Sequence, residues 1–532
     1  IAKNPDDPQL SPSTMSNSPR PNGAEIAATY MEGAVPESIK CTLQRKLFSH
    51  CSYCSCPIGK GPGWISKDAA KRCNTCGWVY CSDHVKDEGH CEACLDTAKA
   101  ADHAGISLIK SAIIVGTGMG GLAAALAMKN RGVREVTILE RTDVLRTSGG
   151  PILVQTNAMR ALLDIDPKVM EKVFDTAGPL DDDGAFKTID GKVLFASKLS
   201  TKIESRWGNP EGRSIVRGNL QQILYNRCVE VGIKVHFGMK VVDVEQDADQ
   251  VTVTAEAYDR EKRSFIADFL VASDGIWSRV RQVLFPDVPA PVYQGYQMII
   301  SRAPTDKFDQ MEMDCWGELW GKAHRFGFFR CGDGGTGIYY ARTCEEDLDK
   351  DKTQKELKQI LIDAATENRY DEKVVKLAKA AEISRLYRFP IRHLQPLSHH
   401  ACGRVVLLGD AANAMQPNLG QGGGMALESA SILSQCLLIG ETLSKGLEKY
   451  ETRRIGRTSI VANESKTNGD LFQASNAFTV LLRNSLFSYL GKQTYKEGVD
   501  ELEIPDPFAY LFSYRLLSWP HPGKRSSCLP GD

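Results

Sequence analysis

The chain has 532 residues, which is enough for roughly three to four average domains or for one small domain and one large one. Its 42% hydrophobic and 25% charged residues are typical of soluble globular proteins and exclude a fibrous or wholly disordered chain. With 65 basic and 66 acidic residues the formal net charge is -1, so no nucleic-acid partner is expected. No uncharged apolar run reaches the roughly 18 residues of a membrane span, so at most peripheral membrane contact is expected.

The first 97 residues divide into two parts of different composition. Residues 1–40 are rich in Pro, Ser, Asn and Asp with little apolar periodicity, which predicts a disordered arm. Residues 41–97 hold nine of the 16 cysteines, whereas the other seven are spaced singly from Cys228 to Cys528. This clustering predicts a separate small module.

Eight residues of this module form pairs, each with a two-residue spacer. The pairs are Cys51 and Cys54, Cys73 and Cys76, Cys81 and His84, and Cys91 and Cys94. This spacing lets both side chains of a pair reach one tetrahedral zinc, so the set predicts two zinc ions. A disulfide framework is the competing interpretation, but the scattered cysteines of the long remainder are not typical of a secreted disulfide scaffold.

The stretch from Cys73 to His84 resembles the cross-brace zinc fingers of the FYVE and RING type. That resemblance implies that the first and third pairs share one ion, and the second and fourth pairs the other. We expect the module to brace the fold or to recruit a protein partner.

A nucleotide-binding unit begins after a short connector. Residues 112–115 form a continuous apolar run typical of a buried parallel strand, and an Ala- and Leu-rich helix ends near Asn130. Between them stand Gly116, Gly118 and Gly121. A second strand, over residues 135–139, ends at Glu140.

The spacing of these glycines has a physical meaning. Glycines permit a tight turn and close backbone approach, the helix N-terminus faces a pyrophosphate, and Glu140 can hold a ribose 2′-hydroxyl. An acid at this position disfavours a 2′-phosphate, so FAD or NAD is predicted rather than NADP.

Later segments predict two further sheets and a second glycine-rich loop. Alternation over 240–245 and 251–257 predicts an antiparallel hairpin, and residues 265–273 predict one strand ending at Asp274 and Gly275. Apolar segments at 298–300, 326–329 and 338–340 predict an antiparallel sheet that covers the nucleotide domain. A strand from residue 404 leads to Gly409 and Asp410, and the loop 417–424 precedes an apolar helix over about 425–438.

Together these motifs resemble the single-component (group A) FAD-dependent monooxygenases related to para-hydroxybenzoate hydroxylase. The motifs are Gly116 to Gly121 with Glu140, Asp274 and Gly275 with Ser278 and Arg281, and Gly409 and Asp410 with Pro417 and its loop. Within that family, segments 150–157, 217–224 and 414–423 are most similar to zeaxanthin epoxidases. The implied fold class is α/β, with a Rossmann-like FAD-binding domain interleaved with an antiparallel substrate-covering sheet over residues 108–440, preceded by the small zinc-binding module.

The resemblance also implies roles for the matching residues. Glu140 and Arg141 would contact the adenosine half of FAD, and Arg217 would lie along the cofactor. The residues implied for the pyrophosphate, nicotinamide passage and ribityl chain are Asp274, Gly275 and Asp410. The residues implied to line the flavin ring are Pro417, Leu419, Gly420, Gln421 and Gly422.

The implied reaction consumes NAD(P)H and O₂ and inserts one oxygen atom into an organic substrate. Only one nucleotide fingerprint is present, so NAD(P)H is expected as a transient co-substrate. The epoxidase likeness implies an apolar substrate, a carotenoid or other isoprenoid, and a plastid location, with a cytoplasmic one otherwise. No catalytic side chain is assigned, and His399 and His400 are expected at the surface.

Two alternative functions stay open. One is a hydroxylase of a small aromatic, which would benefit from a base that ionises a phenol. The other is a flavin-carrying scaffold that recruits a protein through the zinc module. Negligible NADPH oxidation by FAD-loaded protein would favour the scaffold.

Residues 441–532 are expected to form a C-terminal helical extension. Basic residues precede an apolar and aromatic stretch with helical spacing, over about 478–490. This stretch is expected to pack against the body of the protein, and an interfacial position on a membrane is the alternative.

Overall fold

The computed structural model describes residues 105–147, 149–180, 184–197, 211–304, 316–332 and 334–494, together with residue 96 and the segments 70–72 and 79–81. The first ten strands are β1 (Ala70–Arg72), β2 (Val79–Cys81), β3 (Ser111–Val115), β4 (Glu135–Leu139), β5 (Pro151–Val154), β6 (Gly178–Pro179), β7 (Gly184–Thr188), β8 (Val193–Ser197), β9 (Arg213–Val216) and β10 (Lys234–His236). The later strands are β11 (Lys240–Gln246), β12 (Val251–Glu256), β13 (Lys262–Ala267), β14 (Phe269–Ala272), β15 (Val292–Pro304), β16 (Trp316–Trp320), β17 (His324–Cys331), β18 (Gly335–Thr343), β19 (Tyr387–His393), β20 (Ala401–Cys402) and β21 (Val405–Leu407).

The α-helices lie between groups of these strands and at the end of the described chain. They are α1 (Met119–Asn130), α2 (Thr156–Ile165), α3 (Pro167–Thr176), α4 (Arg217–Glu230), α5 (Arg279–Leu284), α6 (Gln354–Glu367), α7 (Glu372–Ala380), α8 (Asp410–Asn413), α9 (Gly422–Ile439), α10 (Leu443–Phe472) and α11 (Ala477–Thr494).

A six-stranded sheet in the order β10-β4-β3-β14-β21-β20 forms the centre of the nucleotide domain. Its strands pair in parallel except for β20 with β21. Successive side chains of a strand point to opposite faces, so Ile114 packs on the layer of α1, α2, α4 and α9, and Ile113 packs on the layer of β11 and β12. Burial on both faces explains why β3 is continuously apolar, and the predicted strand, helix and strand unit is confirmed.

The predicted strand over 265–273 is divided between two sheets. β13 belongs to the antiparallel sheet β11-β12-β13, which contains the predicted hairpin, whereas β14 lies in the parallel sheet. Asp268 separates them, because its Oδ2 accepts hydrogen bonds from the backbone N–H groups of Lys110 (2.6 Å) and Ser111 (2.9 Å). The single-strand prediction was wrong at this carboxylate, which ties the chain to the start of β3.

A seven-stranded sheet in the order β19-β15-β18-β17-β16-β7-β8 covers one end of the nucleotide domain. Its strands are antiparallel except for the β16–β7 pair. The predicted antiparallel sheet is confirmed, because its three segments lie in the adjacent strands β15, β18 and β17. Phe326, Phe328 and Ile338 pack against α6 and α7 on one face. The opposite face carries Tyr296 and Met298 and is turned toward the loop before α9.

The predicted zinc module lies almost wholly outside the described residues. Two features of it are described: the antiparallel pairing of β1 with β2, with Lys71 opposite Tyr80, and the buried Asp96, whose Oδ1 lies 3.0 Å from Lys449 Nζ of α10. The side chains of the eight predicted ligands, and the predicted arm over 1–40, lie outside that part of the chain. The two-zinc assignment therefore stays a prediction.

The C-terminal helices differ in how they are buried. Arg453, Arg454 and Arg457 on α10 are fully buried, not surface cations. On α11, Arg483 and Phe487 face the body of the protein. The large apolar side chains of α11 that are instead exposed are Phe478, Leu481, Leu482, Leu486 and Tyr489. The expectation that this stretch packs against the body was wrong for these five, and contact with a membrane interface stays a prediction.

Helix α9 is the core of the nucleotide domain. Its length and apolar composition would suit a membrane span, but 89% of it is buried inside the protein. It begins at Gly422, three residues before the predicted start, so the glycines at the end of the predicted loop form its first turn.

Candidate active site

The glycine turn between β3 and α1 leaves an open space at its second glycine. Gly116 has φ +101°, and a Cβ there would lie 2.6 Å from the carbonyl oxygen of Ser273. A Cβ at Gly121 would lie 2.1 Å from the carbonyl oxygen of Gly116, so this glycine permits close packing of helix against turn. A Cβ at Gly118 would meet no atom within 4 Å. Packing of the described residues therefore does not require a glycine at position 118. In dinucleotide-binding folds this is the position where a pyrophosphate approaches the backbone.

Two helix N-termini meet at this space. α1 begins at Met119 and α9 at Gly422, and neither has a side-chain hydrogen bond at its N-cap. A Cβ at Gly423 would lie 3.1 Å from the Met119 Cε, which places the two helix starts side by side. Free backbone N–H groups and the positive ends of both helix dipoles favour an anionic group here.

Glu140 stands at the end of β4, as predicted, and is held by two threonines. Its Oε2 accepts from the Thr117 N–H (2.8 Å) and Oγ1 (2.7 Å), and its Oε1 from the Thr142 N–H and Oγ1 (both 3.0 Å). Burial raises the pKa of Glu140, but these four hydrogen bonds outweigh it, and the net pKa is lower than usual. The ionised carboxylate is therefore fixed beside the glycine turn.

Asp410 and Arg217 lie across the same space from different elements. Asp410 is the first residue of α8, and Arg217 is the first residue of α4. Burial among neighbouring atoms raises the pKa of Asp410, and the Arg217 charge partly opposes this shift. The Asp410 side chain is nevertheless exposed. The Asp410 side chain is thus crowded by neighbouring atoms and still reachable from solvent. Arg141 is exposed after β4.

Asp274 binds the start of a helix. Its Oδ2 accepts from the backbone N–H groups of Arg279 (2.7 Å) and Val280 (3.3 Å). Its Oδ1 is buried without a hydrogen-bond partner, and burial raises the pKa of this carboxyl. Gly275 follows with φ +85° and no atom within 4 Å of an added Cβ. The side chain of Arg281 donates to the Ala411 carbonyl (2.7 Å) and so ties this segment to α8.

The predicted flavin-lining loop is compact. Residues 417–419 form one 3₁₀ turn, and Gly420 follows in the left-handed conformation with φ +63°. Gln421 is the N-cap residue of α9 and only 1% exposed. The Gln155 side chain donates to the Leu419 carbonyl oxygen (2.9 Å). The loop is thus held by the Gln155 side chain, which precedes α2.

A polar cluster on the seven-stranded sheet holds the other flank of this loop. The Tyr296 hydroxyl donates to Gln416 Oε1 (2.9 Å), and Asn418 Nδ2 donates to the Ser465 carbonyl of α10 (2.8 Å). Arg325 contacts Asn418 through Nη2 and donates through Nη1 to Glu318 Oε1 (2.9 Å). Sheet, loop and α10 are therefore joined by hydrogen bonds.

Sequence reasoning missed this cluster, although it left a signal. Glu318 accepts from Trp320 Nε1 (3.0 Å) and the Tyr339 hydroxyl (2.7 Å) as well as from Arg325. Glu318 and Arg325 stand at buried positions of strands rich in aromatic residues. A charged residue at a buried strand position is expected to have a buried partner, and two such residues in adjacent strands could have been paired on that basis.

The two histidines behave differently from the surface pair that was expected. His399 is exposed beside Glu451. His400 is buried, and burial together with the charge of Arg454 lowers its pKa to about 3. The expectation was therefore wrong for His400, which is neutral and packs beside Tyr450 on α10.

These features fit FAD. The open glycine turn, the paired helix N-termini and the ionised acid after β4 match what an adenine dinucleotide requires, and Asp410 lies near enough to Arg217 for the charge of the arginine to lower its pKa. They define a dinucleotide-binding α/β fold with a second, largely antiparallel sheet that contacts the loop before α9.

Comparison with known proteins agrees with this class. A family model described as FAD binding domain matches residues 110–465. Aurachin C monooxygenase/isomerase of Stigmatella aurantiaca is 31% identical over 377 residues, which are 70% of this chain and 92% of that protein. The chain belongs to the FAD-binding-domain family and is an FAD-dependent monooxygenase, an oxidoreductase.

Other similar proteins are named for, or were crystallised with, different compounds. Chloroplastic zeaxanthin epoxidase of Oryza sativa subsp. japonica is 34% identical over 369 residues, which are 66% of this chain and 53% of that enzyme. The chain thus spans about half the length of that relative. The crystal structure of Klebsiella pneumoniae HpxO with FAD and uric acid has a TM-score of 0.64 at 23% identity, covering 77% of this chain and 97% of that one, and it shares the fold.

Proposed function

We propose that this monooxygenase holds FAD along the cleft from the glycine turn to the loop before α9 and uses NAD(P)H and O₂ to oxygenate an apolar substrate. The observation that carries the proposal is the open space at Gly118, which lies beside the adjoining starts of α1 and α9. Bound FAD would supply the electron transfer and the activation of O₂.

Each predicted cofactor residue has a role in this proposal. Gly116, Gly118 and Gly121 would seat the pyrophosphate, and Glu140 would accept from the adenosine ribose. The residues proposed for the rest of FAD and its approach are Arg141, Arg217, Asp274, Gly275 and Asp410. Pro417, Leu419, Gly420, Gln421 and Gly422 would lie against the flavin ring.

The amides at the start of α9 would stabilise negative charge on the reduced ring system. This effect follows from the helix dipole and from the free N–H groups of the first turn. The seven-stranded sheet, tied to the loop through Tyr296 and Arg325, would exclude water from the reaction.

The face of the seven-stranded sheet that is turned toward this loop supports an apolar substrate. Met298, Ala341 and Ile391 form an apolar cluster with Tyr296 on that face. Both oxygens of Glu318 accept hydrogen bonds from neighbouring side chains, so the polar groups of this sheet are engaged with one another. Burial raises the pKa of Tyr339 well above its usual value, so its hydroxyl stays protonated. An isoprenoid such as a carotenoid fits such a surface better than a phenol, which requires polar anchors.

One observation favours a second candidate, a hydroxylase of a small aromatic. His393 on β19 is buried, and among the residues that the structure describes its Nδ1 has no hydrogen-bond partner. Burial lowers the pKa of His393, so at neutral pH the imidazole is uncharged and can accept a proton. A phenol hydroxylase would use such a base.

Oxygen uptake with NADPH separates the two candidates. With a hydroxylated carotenoid in detergent micelles we expect oxygen consumption to match product formation, with one oxygen atom gained and little hydrogen peroxide. Simple phenols should give mainly peroxide, because they leave the apolar wall wet. Tight coupling to a phenol and none to a carotenoid would overturn the isoprenoid proposal and favour the hydroxylase.

The N-terminal module is proposed to hold two zinc ions and, through them, to brace the chain or recruit a protein partner. The proposal is supported by the four regularly spaced ligand pairs. Metal analysis of the intact, reduced protein should find about two zinc ions per chain, and a chelator should unfold residues 41–97 while FAD remains bound, because coordination supplies most of the folding free energy of so small a module. Protein without zinc but with normal protection of that segment from proteolysis would contradict it.

A further inference from the structure

We propose that Glu428 is a positioning residue for the flavin-lining loop, acting through Asn157 on Gln421. The inference rests on the proposed function only in placing FAD against this loop. It starts from an ion cluster at the centre of the nucleotide domain, in which Glu428 of α9 meets Arg454 and Arg457 of α10. The side chains of the three residues are at most 1% exposed.

Two arginines hold the Glu428 carboxylate in one orientation. Arg457 binds it with two parallel hydrogen bonds, from Nε to Oε2 and from Nη2 to Oε1, both 2.6 Å. Arg454 adds a third from Nη1 to Oε2 (2.7 Å) and is itself held by Ser429 and the Met425 carbonyl. Such charge-assisted, bidentate contacts are short and strongly directional, and the pKa of Glu428 is lowered by the arginines despite its burial.

A chain of amides leads from this carboxylate to the loop. Asn157 Nδ2 donates to Glu428 Oε1 (2.6 Å) and also to Gln421 Oε1 (2.9 Å). Gln421 Nε2 in turn donates to Asn157 Oδ1 (3.2 Å) and contacts Gln155 Oε1. Gln155 Nε2 then donates to the Leu419 carbonyl oxygen (2.9 Å).

The direction of this chain depends on the charge of Glu428. An ionised carboxylate can only accept hydrogen bonds, so the Asn157 amide must turn its NH₂ group toward it. That orientation decides the orientation of Gln421 and then of Gln155, whose Nε2 donates to the Leu419 carbonyl oxygen of the loop. The arginines thus fix, through Glu428 and the amides, the backbone groups proposed to face the flavin ring.

A matched control lies on α2, the helix that also contains Asn157. Asp164 of α2 is also a buried carboxylate, with hydrogen bonds from Arg131 Nη2 (2.7 Å), Ser431 Oγ (2.5 Å) and Gln435 Nε2 (2.9 Å). It contacts α9 one to two turns beyond Glu428, and none of its hydrogen bonds leads to the loop. Replacing it removes a comparable buried ion pair without disturbing Gln421.

The test compares Glu428→Gln, Asn157→Ala and Asp164→Asn in full-length protein, with FAD affinity and the visible spectrum of bound FAD as readouts. Glu428→Gln can donate as well as accept, so the orientation of the amides is lost. We expect Glu428→Gln and Asn157→Ala to weaken FAD binding by about tenfold or more and to shift the flavin bands, as is usual when support for a contact residue is removed. Asp164→Asn should lower the melting temperature but leave both readouts unchanged.

The outcomes distinguish the inference from the proposed function. A colourless wild-type protein with no affinity for FAD would overturn both. A yellow wild type, with Glu428→Gln and Asn157→Ala matching Asp164→Asn in FAD affinity and spectrum, would overturn only the positioning role. Asn157→Ala leaves the ion cluster intact, so it decides the question even if Glu428→Gln does not fold.

Discussion

Gly118→Val is expected to leave a folded but colourless protein, with FAD affinity reduced at least about hundredfold, or roughly 2.7 kcal/mol. Gly118 has φ -63°, which any residue adopts, and an added Cβ there meets no atom of the described residues within 4 Å. The valine should therefore leave the apoprotein intact and occupy only the space proposed for the pyrophosphate. Flavin absorbance of the purified protein and titration of the apoprotein with FAD measure the effect.

The matched control is Gly121→Val in the same turn. An added Cβ at Gly121 would lie 2.1 Å from the Gly116 carbonyl oxygen, so this change should lower the melting temperature as well as the FAD content. Gly118→Val should lower only the FAD content. Normal flavin content in Gly118→Val would contradict the placement of the cofactor.

Arg325→Met is expected to lower the free energy of unfolding by about 3–5 kcal/mol. The Arg325 side chain is 2% exposed and that of Glu318 is 9% exposed, so the change leaves a buried carboxylate without its charged partner. It also removes the contact of Arg325 with Asn418 in the flavin-lining loop. Chemical denaturation followed by circular dichroism would measure the loss.

A surface ion pair provides the comparison. Lys352 Nζ, just before α6, lies 2.9 Å from Glu356 Oε1 in the first turn of that helix, and both side chains are about half exposed. Water screens such a pair, so Lys352→Met should have little effect on stability. An equal loss of stability in Arg325→Met and Lys352→Met would show that the buried contacts of Arg325 with Glu318 and Asn418 do not stabilise the join between the seven-stranded sheet and the loop.

Local patterns determined the nucleotide-binding half of this protein. The apolar run at 111–115, the glycine spacing and Glu140 specify a strand, a turn, a helix and an acid, because each depends on backbone geometry within about 30 residues. The hairpin at 240–256 follows equally from its period-two alternation. The break at Asp268 was missed because it depends on Lys110 and Ser111, more than 150 residues away.

The interactions around the proposed flavin-lining loop were decided by tertiary structure. Gln421 is bound by Asn157 of α2, and Asn418 by the seven-stranded sheet and α10. No pattern of residue spacing links positions 157, 421 and 428 with 454 and 457, because hydrogen-bonded partners in a buried network are chosen by proximity in the folded chain. The sequence by itself therefore determined that the chain binds a dinucleotide, and packing alone decided which side chains hold the loop in place, since burial requires each polar group to find a partner wherever the fold brings one near.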